Sequence, residues 1–229
     1  MLPIHSLRAR RGFTLTEVLI AMTLGSLALA AVAQMTIGVG RMNFDSVAKL
    51  VINNDVRGFT QQLSQAGRSA REYRVYASTQ NLTERQSGQS GDLLVLVWAD
   101  PVPLDDPAIG VTQEYYYRRV IAFARTIDDT TTNTGPVVRY EVAFPPGGAT
   151  GSVRASSTTI RTITQGMLAG TTPNVRRREV LELTRGLADG RLFFHGRTGR
   201  SIVINGEIFH DNRAREVTNT YNFTITPRG

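Results

Sequence analysis

The chain has 229 residues, a formal net charge of +7 and no cysteine. The absence of cysteine excludes disulfide bonds and any redox or zinc chemistry that depends on thiols. The length suffices for one membrane helix and a single globular domain with a sizeable core, and the positive charge is compatible with an acidic partner, with nucleic acid or with ordinary solubility.

The N-terminal segment combines a short basic stretch with a long apolar one. Between Phe13 and Val39, Glu17 is the only charged residue. About 20 apolar residues are enough for a helix to span a bilayer. The basic residues before this span are Arg8, Arg10 and Arg11. Because they precede the span, we expect the leader to stay in the cytoplasm and the rest of the chain to lie outside it.

Glu17 is the unusual residue of this apolar segment. A carboxylate inside a membrane-length helix is unfavourable unless a positive charge pairs with it. Cleavage between Gly12 and Phe13 would create such a charge, the α-amine of Phe13. Glu17 can then pair with the amine of its own helix, one turn away, or with that of a neighbouring molecule. The sequence does not decide between these two pairings.

This segment resembles the leader and N-terminal segment of type IV prepilins and of the pseudopilins of type II secretion systems. The matching positions are Gly12, Phe13, Thr14, Leu15 and Glu17. The resemblance implies cleavage after Gly12 by a prepilin peptidase and methylation of the Phe13 amine. It also implies that the mature helix joins other pilins in a filament built on an inner-membrane platform, where Glu17 accepts the amine of a neighbouring subunit.

Two other interpretations of the N-terminus are open. Arg10-Arg11-Gly12-Phe13 also fits part of a twin-arginine export signal, and Ala31-Val32-Ala33 fits a small-residue cleavage site. Together they would make residues 1–33 a removed signal peptide. In the third interpretation the helix is an uncut membrane anchor. The first residue of the mature protein distinguishes the three cases, because it would be Phe13, Gln34 or Met1 respectively.

Beyond residue 40 the helical pattern continues but becomes amphipathic. We predict one helix from Phe13 to about Tyr76, whose outer half covers a sheet. The apolar residues that recur near helical spacing are Phe44, Val47, Val51, Phe59, Leu63, Ala66, Ala70 and Tyr73.

The rest of the chain carries strand signals separated by turns rich in Gly, Pro, Asp and Thr. A polar loop is predicted over 78–91, and Asn205-Gly206 predicts a two-residue hairpin before Glu207–Phe209. The predicted strands are Asp92–Trp98, Glu114–Ala124, Val137–Phe144, Thr158–Thr164, Glu179–Leu183, Arg191–His195, Ser201–Ile204 and Arg215–Thr226.

These elements predict an α+β, pilin-like fold in which a long N-terminal helix packs on a mostly antiparallel sheet. We divide the chain into a cleaved leader over 1–12 and a transmembrane and filament-core helix over 13–40. An amphipathic extension over 41–77 follows, and a β-rich periplasmic domain over 78–229 packs with that extension.

The sequence contains no catalytic elbow or phosphate-binding loop, so we expect neither an enzyme nor a cofactor. The histidines His5, His195 and His210 lack the spacing of a metal site and are interpreted as structural. Asp105-Asp106 and Asp128-Asp129 could supply oxygen ligands to calcium, although solvated turns are the preferred interpretation.

Two arginine-containing runs could contact an anionic partner. Arg176, Arg177 and Arg178 form the densest basic run, which could bind DNA, anionic lipid or an acidic protein. Alternation along a strand puts Arg177 opposite the other two, and a strand edge protected by charge is the preferred interpretation. The run Tyr115–Arg119 mixes aromatics with arginine as nucleic-acid surfaces do, but it also fits one strand covered on both faces.

The resemblance favours a particular class of subunit. Many major pilins have a C-terminal disulfide loop, so the missing cysteines point to a minor pilin or a J-type minor pseudopilin at the filament tip, where it helps to start assembly. K-type pseudopilins typically lack the acid at the position of Glu17. The first alternative is a competence-type pilin whose basic outer domain binds DNA, and the second is an exported protein with a removed signal peptide.

Overall fold

The structure is a computed structural model, and it describes residues 13–102, 114–128, 130–147, 149–197, 200–212 and 215–227. The chain divides into two compact units, Met1–Val47 and Ala48–Gly229. We refer to them as the N-terminal unit and the C-terminal unit. The first helix, α1 (Leu15–Ser69), is 55 residues long and contributes residues to both units.

The described part of the N-terminal unit is the first stretch of α1, and its apolar side chains are exposed. Among the described residues, α1 is long and apolar enough to cross a membrane. Exposed apolar surface of this extent requires lipid or other helices around it. The large exposed apolar residues up to position 39 include Leu15, Leu19, Ile20, Met22, Leu24, Leu27, Leu29, Val32, Met35 and Ile37.

In the described parts of the C-terminal unit, ten strands form one sheet with neighbours in the order β1-β3-β4-β5-β7-β9-β8-β2, while β10 pairs with β9 and β6 with β4. All of these pairs are antiparallel. The strands are β1 (Glu72–Tyr76), β2 (Ser90–Gly91), β3 (Leu93–Val102), β4 (Glu114–Arg125), β5 (Gly135–Ala143), β6 (Val153–Arg154), β7 (Arg176–Gly186), β8 (Phe193–His195), β9 (Ile202–Asn212) and β10 (Arg215–Ile225).

Helices cover both faces of this sheet. The outer part of α1 packs on one face, where the Phe59 ring lies 6.1 Å from that of Phe123 on β4 and 6.1 Å from that of Tyr221 on β10. The second helix, α2 (Ser157–Ala169), covers the other face with Ile160 and Met167. The prediction of an α+β fold with a long N-terminal helix and an antiparallel sheet is therefore confirmed.

The predicted end of the first helix is wrong. The helix ends at Ser69, and Glu72–Tyr76 forms β1 instead of a last helical turn. Tyr73, Val75 and Tyr76 have high strand propensity, and the segment pairs with residues of β3. Part of the predicted packing face of this helix is also wrong. Val47 and Val51 are exposed, and the residues that follow them, Ala48 and Ile52, are buried instead.

The predicted strand over Thr158–Thr164 is also wrong, because this segment lies within α2. Ser156 caps the helix by accepting a hydrogen bond from the Thr159 amide at 3.1 Å. Gly170, in the left-handed region with a φ of 71°, ends it. The threonines raise strand propensity, but Ile160, Ile163 and Met167 recur at helical spacing and are buried on one face.

The predicted hairpin at Asn205-Gly206 is wrong as well, because both residues lie inside β9. A Cβ atom at Gly206 would come within 2.6 Å of the Tyr221 hydroxyl oxygen. The glycine therefore allows close packing between β9 and β10 rather than a turn.

Candidate functional site

The residues around Glu17 form a reciprocal cap at the start of α1. The Thr14 amide donates to Glu17 Oε2 at 2.9 Å, and the Glu17 amide donates to Thr14 Oγ1 at 3.3 Å. The Thr14 carbonyl accepts the first helical bond, from the Val18 amide at 3.2 Å. This arrangement is a capping box, which satisfies amides that otherwise have no partner in the first turn of a helix.

This cap was not predicted from the sequence, although its signal is present there. A Thr followed three residues later by Glu, just before an apolar run, is the capping-box signature. The carboxylate of Glu17 also lies in the first helical turn, where the partial positive charge of the helix N-terminus stabilises an anion. Glu17 therefore has a local structural partner in addition to the amine that the sequence analysis assigned to it.

The described part of the candidate processing site consists of Phe13 and the residues after it. Phe13 is 85% exposed. It directly precedes Thr14, whose amide donates to the Glu17 carboxylate. The leader residues of the predicted site, Arg8, Arg10, Arg11 and Gly12, lie outside the described residues.

A buried ionic cluster in the C-terminal unit was not predicted. Arg125 Nε donates to Asp92 Oδ1 at 2.7 Å, Arg191 Nη1 donates to Asp92 Oδ2 at 2.7 Å, and both Asp92 and Arg125 are about 1% exposed. Arg125 also donates to the carbonyls of Asn133 and Gly190. The cluster ties two loops to β3 and β4. Its members are far apart in sequence, so no local pattern could have revealed it.

The arginine run lies at the start of β7, which pairs with β5. All three residues are exposed. The Arg177 guanidinium lies 5.9 Å from the centre of the Tyr140 ring, and Tyr140 belongs to the core on the α2 side. Arg176 and Arg178 point to the opposite face, on the α1 side, because neighbouring residues of a strand alternate. The contact of Arg177 with Tyr140 agrees with the predicted separation of Arg177 from the other two.

The run Tyr115–Arg119 forms part of β4, as the second interpretation predicted. Tyr117 is buried, and its hydroxyl donates to the Ser156 carbonyl at 2.7 Å. Burial raises the pKa of Tyr117 to about 12. The Arg71 guanidinium lies 3.6 Å above the Tyr115 ring. These contacts are internal to the C-terminal unit and leave a strand covered on both faces.

The candidate metal residues are only partly described. Among the described residues, no group of three or more His, Asp or Glu side chains could hold a metal ion. The Nδ1 atom of His195 lies 3.0 Å from the carbonyl oxygen of Arg85, and the His195 ring packs edge-on against the Tyr73 ring. The residues that fall outside the described ones are His5, Asp105, Asp106, Asp129 and the side chain of His210.

Comparison with known protein families gives a match over the N-terminal segment. Residues 7–33 match the family described as the prokaryotic N-terminal methylation motif. No curated protein and no solved structure matches the chain significantly. The matched motif is that of structural, pilin-type proteins, and it implies processing by a prepilin peptidase and assembly with other pilins. Together with the apolar helix that begins within it, the motif supports a type IV pilin-like or pseudopilin-like processed protein with a membrane anchor.

Proposed function

We propose that this chain is a non-enzymatic minor pilin or minor pseudopilin, which takes part in starting a type IV pilus or a type II secretion filament at its tip. The observation that carries the proposal is the methylation motif over 7–33, which includes the start of a long, exposed apolar helix. The antiparallel sheet packed on the outer part of that helix supports it, as does the absence of cysteine from the chain.

In the proposed mechanism, cleavage after Gly12 converts the Phe13 nitrogen from an amide to an amine, which is then methylated. The Glu17 carboxylate bonds to the Thr14 amide, one residue further along the chain. Before assembly it can therefore reach the amine of its own helix. On docking, Glu17 exchanges this local pairing for the Phe13 amine of a neighbouring subunit. An ion pair is several-fold stronger where water is excluded than in bulk water, so a subunit without the pair docks poorly.

The proposed topology follows from the positions of the charges. The arginines of the leader hold the N-terminus in the cytoplasm. The C-terminal unit lies in the periplasm, and the processed subunit moves from the inner membrane into an extracytoplasmic filament.

Determining the N-terminus of the mature protein tests the proposal most directly. We expect mass spectrometry of the protein purified from its own membranes to show a first residue of methylated Phe13. In a strain without prepilin peptidase, the protein should instead keep Met1. A mature protein that begins at Gln34 would identify a removed signal peptide, and one that keeps Met1 in the presence of the peptidase would identify a plain anchor. Either result contradicts the proposal.

The position in the filament requires a separate experiment. Gold-labelled antibodies against the C-terminal unit should mark filament ends, at a few copies per filament. Deletion of the gene should reduce the number of filaments, and the remaining filaments should still consist of the usual main subunit. Labelling along the whole filament would make this chain a major subunit.

The exposed arginines of β7 favour a second candidate function, capture of DNA by a competence-type pilin. This function predicts DNA binding that weakens steeply with salt. Neutral substitutions in the run Arg176–Arg178 should reduce it, because they remove positive charge that phosphate would contact. An unchanged DNA affinity in these variants would exclude this version of the function.

A further inference from the structure

The sheet face that packs on α1 changes abruptly from apolar to charged. Directly paired residues of neighbouring strands lie on the same face, and the register continues the apolar residues Ile121 and Phe123 of β4 into charged residues of β5 and β7. The charged residues beside this core are Arg119 on β4, Arg139 and Glu141 on β5, and Arg176 and Arg178 on β7. We call these five residues the arginine corner.

The charges of the arginine corner do not balance. Glu141 is the one carboxylate of the set, and it forms ion pairs with both Arg119 and Arg139. Arg139 also donates to Gln62 of α1 at 3.4 Å. The Nε atoms of Arg119 and Arg139 are buried without a hydrogen-bond partner. Four positive charges thus face one negative charge.

Arg176 and Arg178 are the available groups of this corner. Both are exposed, and within the described ranges neither forms an ion pair. They are two residues apart on one strand, so their side chains leave the same face about 6.6–6.8 Å apart. Carboxylates with that spacing occur on alternate residues of an extended chain.

The backbone beside these arginines is also available. On one edge β7 pairs with β5 from Arg176 to Thr184. On the other edge β9 pairs only with Thr184, Arg185 and Gly186. In the part of the chain that the structure describes, the second edge of Arg176–Leu183 therefore has no strand partner. Unpaired strand edges bind additional strands, because their amides and carbonyls form the same hydrogen bonds to any extended peptide.

We propose that the N-terminal half of β7 binds an extended acidic segment of another protein. The segment adds as a strand to the free edge of β7, and acidic side chains at alternate positions lie opposite Arg176 and Arg178. This inference does not rest on processing at Gly12, because every contact that it uses lies within the C-terminal unit.

The arrangement favours a protein partner over nucleic acid. Glu141 already shows that a carboxylate fits between arginines of this corner. A strand edge offers backbone hydrogen bonds to a peptide, but DNA lacks the matching pattern of amides and carbonyls. Guanidinium groups bind carboxylates in a fixed two-point geometry, which adds specificity to the backbone pairing.

Fluorescence anisotropy with the full-length protein in non-ionic detergent tests the proposal. The probe is a labelled peptide in which Thr and Glu alternate, and the control peptide has the same composition with its glutamates grouped together. We expect the alternating peptide to bind at least about tenfold more tightly, a difference of about 1.4 kcal/mol. Binding should also protect the amides of Arg176–Leu183 from hydrogen exchange.

Two variants separate the corner from general charge. R176E/R178E should weaken peptide binding at least about tenfold, since it replaces two attractions by repulsions. R177E changes the charge on the opposite face of the same strand. Its affinity for the alternating peptide should therefore stay within about twofold of that of the parent protein. Circular dichroism checks that both variants fold.

Several outcomes would overturn the inference. These are equal binding of the two peptides, equal effects of the two variants, and binding without protection of β7. Tighter binding of a DNA duplex than of the alternating peptide would assign the corner to nucleic acid instead. Binding of vesicles that contain phosphatidylglycerol, with no binding of the peptide, would assign it to lipid.

Discussion

Thr14 and Glu17 cap the same helix end reciprocally, with the amide of each bonded to the side chain of the other. The carboxylate proposed to register a subunit in a filament therefore also stabilises the first turn of the helix that carries it. Loss of function after a change at Glu17 could arise from either role. The two roles differ in one respect: capping needs a hydrogen-bond acceptor, whereas pairing with an amine needs a negative charge.

Glu17→Gln separates these roles. Glutamine at this position still caps the helix, but it cannot form an ion pair with the Phe13 amine. We expect the variant to be cleaved and methylated normally, as mass spectrometry will show, and to be missing from sheared filaments on immunoblots.

Thr14→Ala is the matched control for Glu17→Gln, because it removes the capping hydroxyl and keeps the carboxylate. It should enter filaments at close to the normal level. If Glu17→Gln assembles normally while Thr14→Ala does not, capping rather than charge is the role of this segment.

Arg125→Met should strongly destabilise the C-terminal unit. Among the residues that the structure describes, this leaves the buried Asp92 with the partly exposed Arg191 as its remaining guanidinium partner. Breaking a buried ion pair on one side typically costs about 3–5 kcal/mol. Trp98 is the single tryptophan of the chain, and its Nε1 donates to Ser69, so urea unfolding followed by its fluorescence measures the change.

Arg118→Met provides the comparison on the same strand. Arg118 pairs with Asp100 at 2.9 Å, with both side chains substantially exposed. Exposed pairs contribute about 0–1 kcal/mol. A loss as large as that of Arg125→Met would show that the burial of the cluster does not determine its contribution.

The stability of the C-terminal unit should decrease in alkaline solution because of its buried tyrosines. Burial raises the pKa of Tyr76 to about 12, whereas a tyrosine in an unfolded chain ionises near about 10. The unfolded state therefore loses its proton first. Stability is complete below about pH 10 and falls as the pH rises through about 12. Two pKa units correspond to at most about 2.7 kcal/mol, and solvent screening reduces that value.

Tyr76→Phe tests this pH dependence by removing the ionisable hydroxyl. Urea unfolding between pH 9 and 12 should show a shallower loss of stability than in the parent protein. Tyr117→Phe should also flatten the profile, but it additionally lowers stability at neutral pH because it breaks the bonds to Ser156. An unchanged slope in both variants would assign the alkaline loss to other groups.

The parts of the fold that the sequence predicted have strong local signals. The long apolar stretch after Phe13 indicates a helix, and alternating β-branched and aromatic residues indicate most of the strands. The errors occurred where tertiary contacts decide. The end of α1 depends on pairing of Glu72–Tyr76 with β3, and the course of β9 through Gly206 depends on the neighbouring Tyr221.

The candidate site divides in the same way. The cleavage and registration residues form a contiguous motif at fixed spacing, so the sequence alone suggests them, and their roles stay a prediction. The arginine corner required the structure, because the register of three strands brings Arg119, Arg139 and Arg178 onto one face. The sequence showed the run at Arg176–Arg178, but it could not show which edge of the strand lacks a partner.

Two glycines of α1 should respond in opposite ways to the same substitution. A Cβ atom at Gly67 would lie 2.4 Å from the Cγ2 atom of Ile225, whereas at Gly58 it would meet no atom within 4 Å. Gly67→Ala forces Ile225 to move in a packed core, which costs about 1–3 kcal/mol. Gly58→Ala should stabilise the C-terminal unit by up to about 1 kcal/mol, since alanine favours the helix.

The same urea unfolding assay measures both glycine variants. Ile225→Ala should cost less stability in the Gly67→Ala background than in the parent protein, because it removes the Cγ2 methyl group that the new Cβ atom would clash with. In the parent protein Ile225→Ala should be destabilising by about 2–5 kcal/mol, as most of a buried side chain is lost. Additive effects of the two changes would contradict the close packing of α1 on β10, because residues in contact are expected to show a coupling energy.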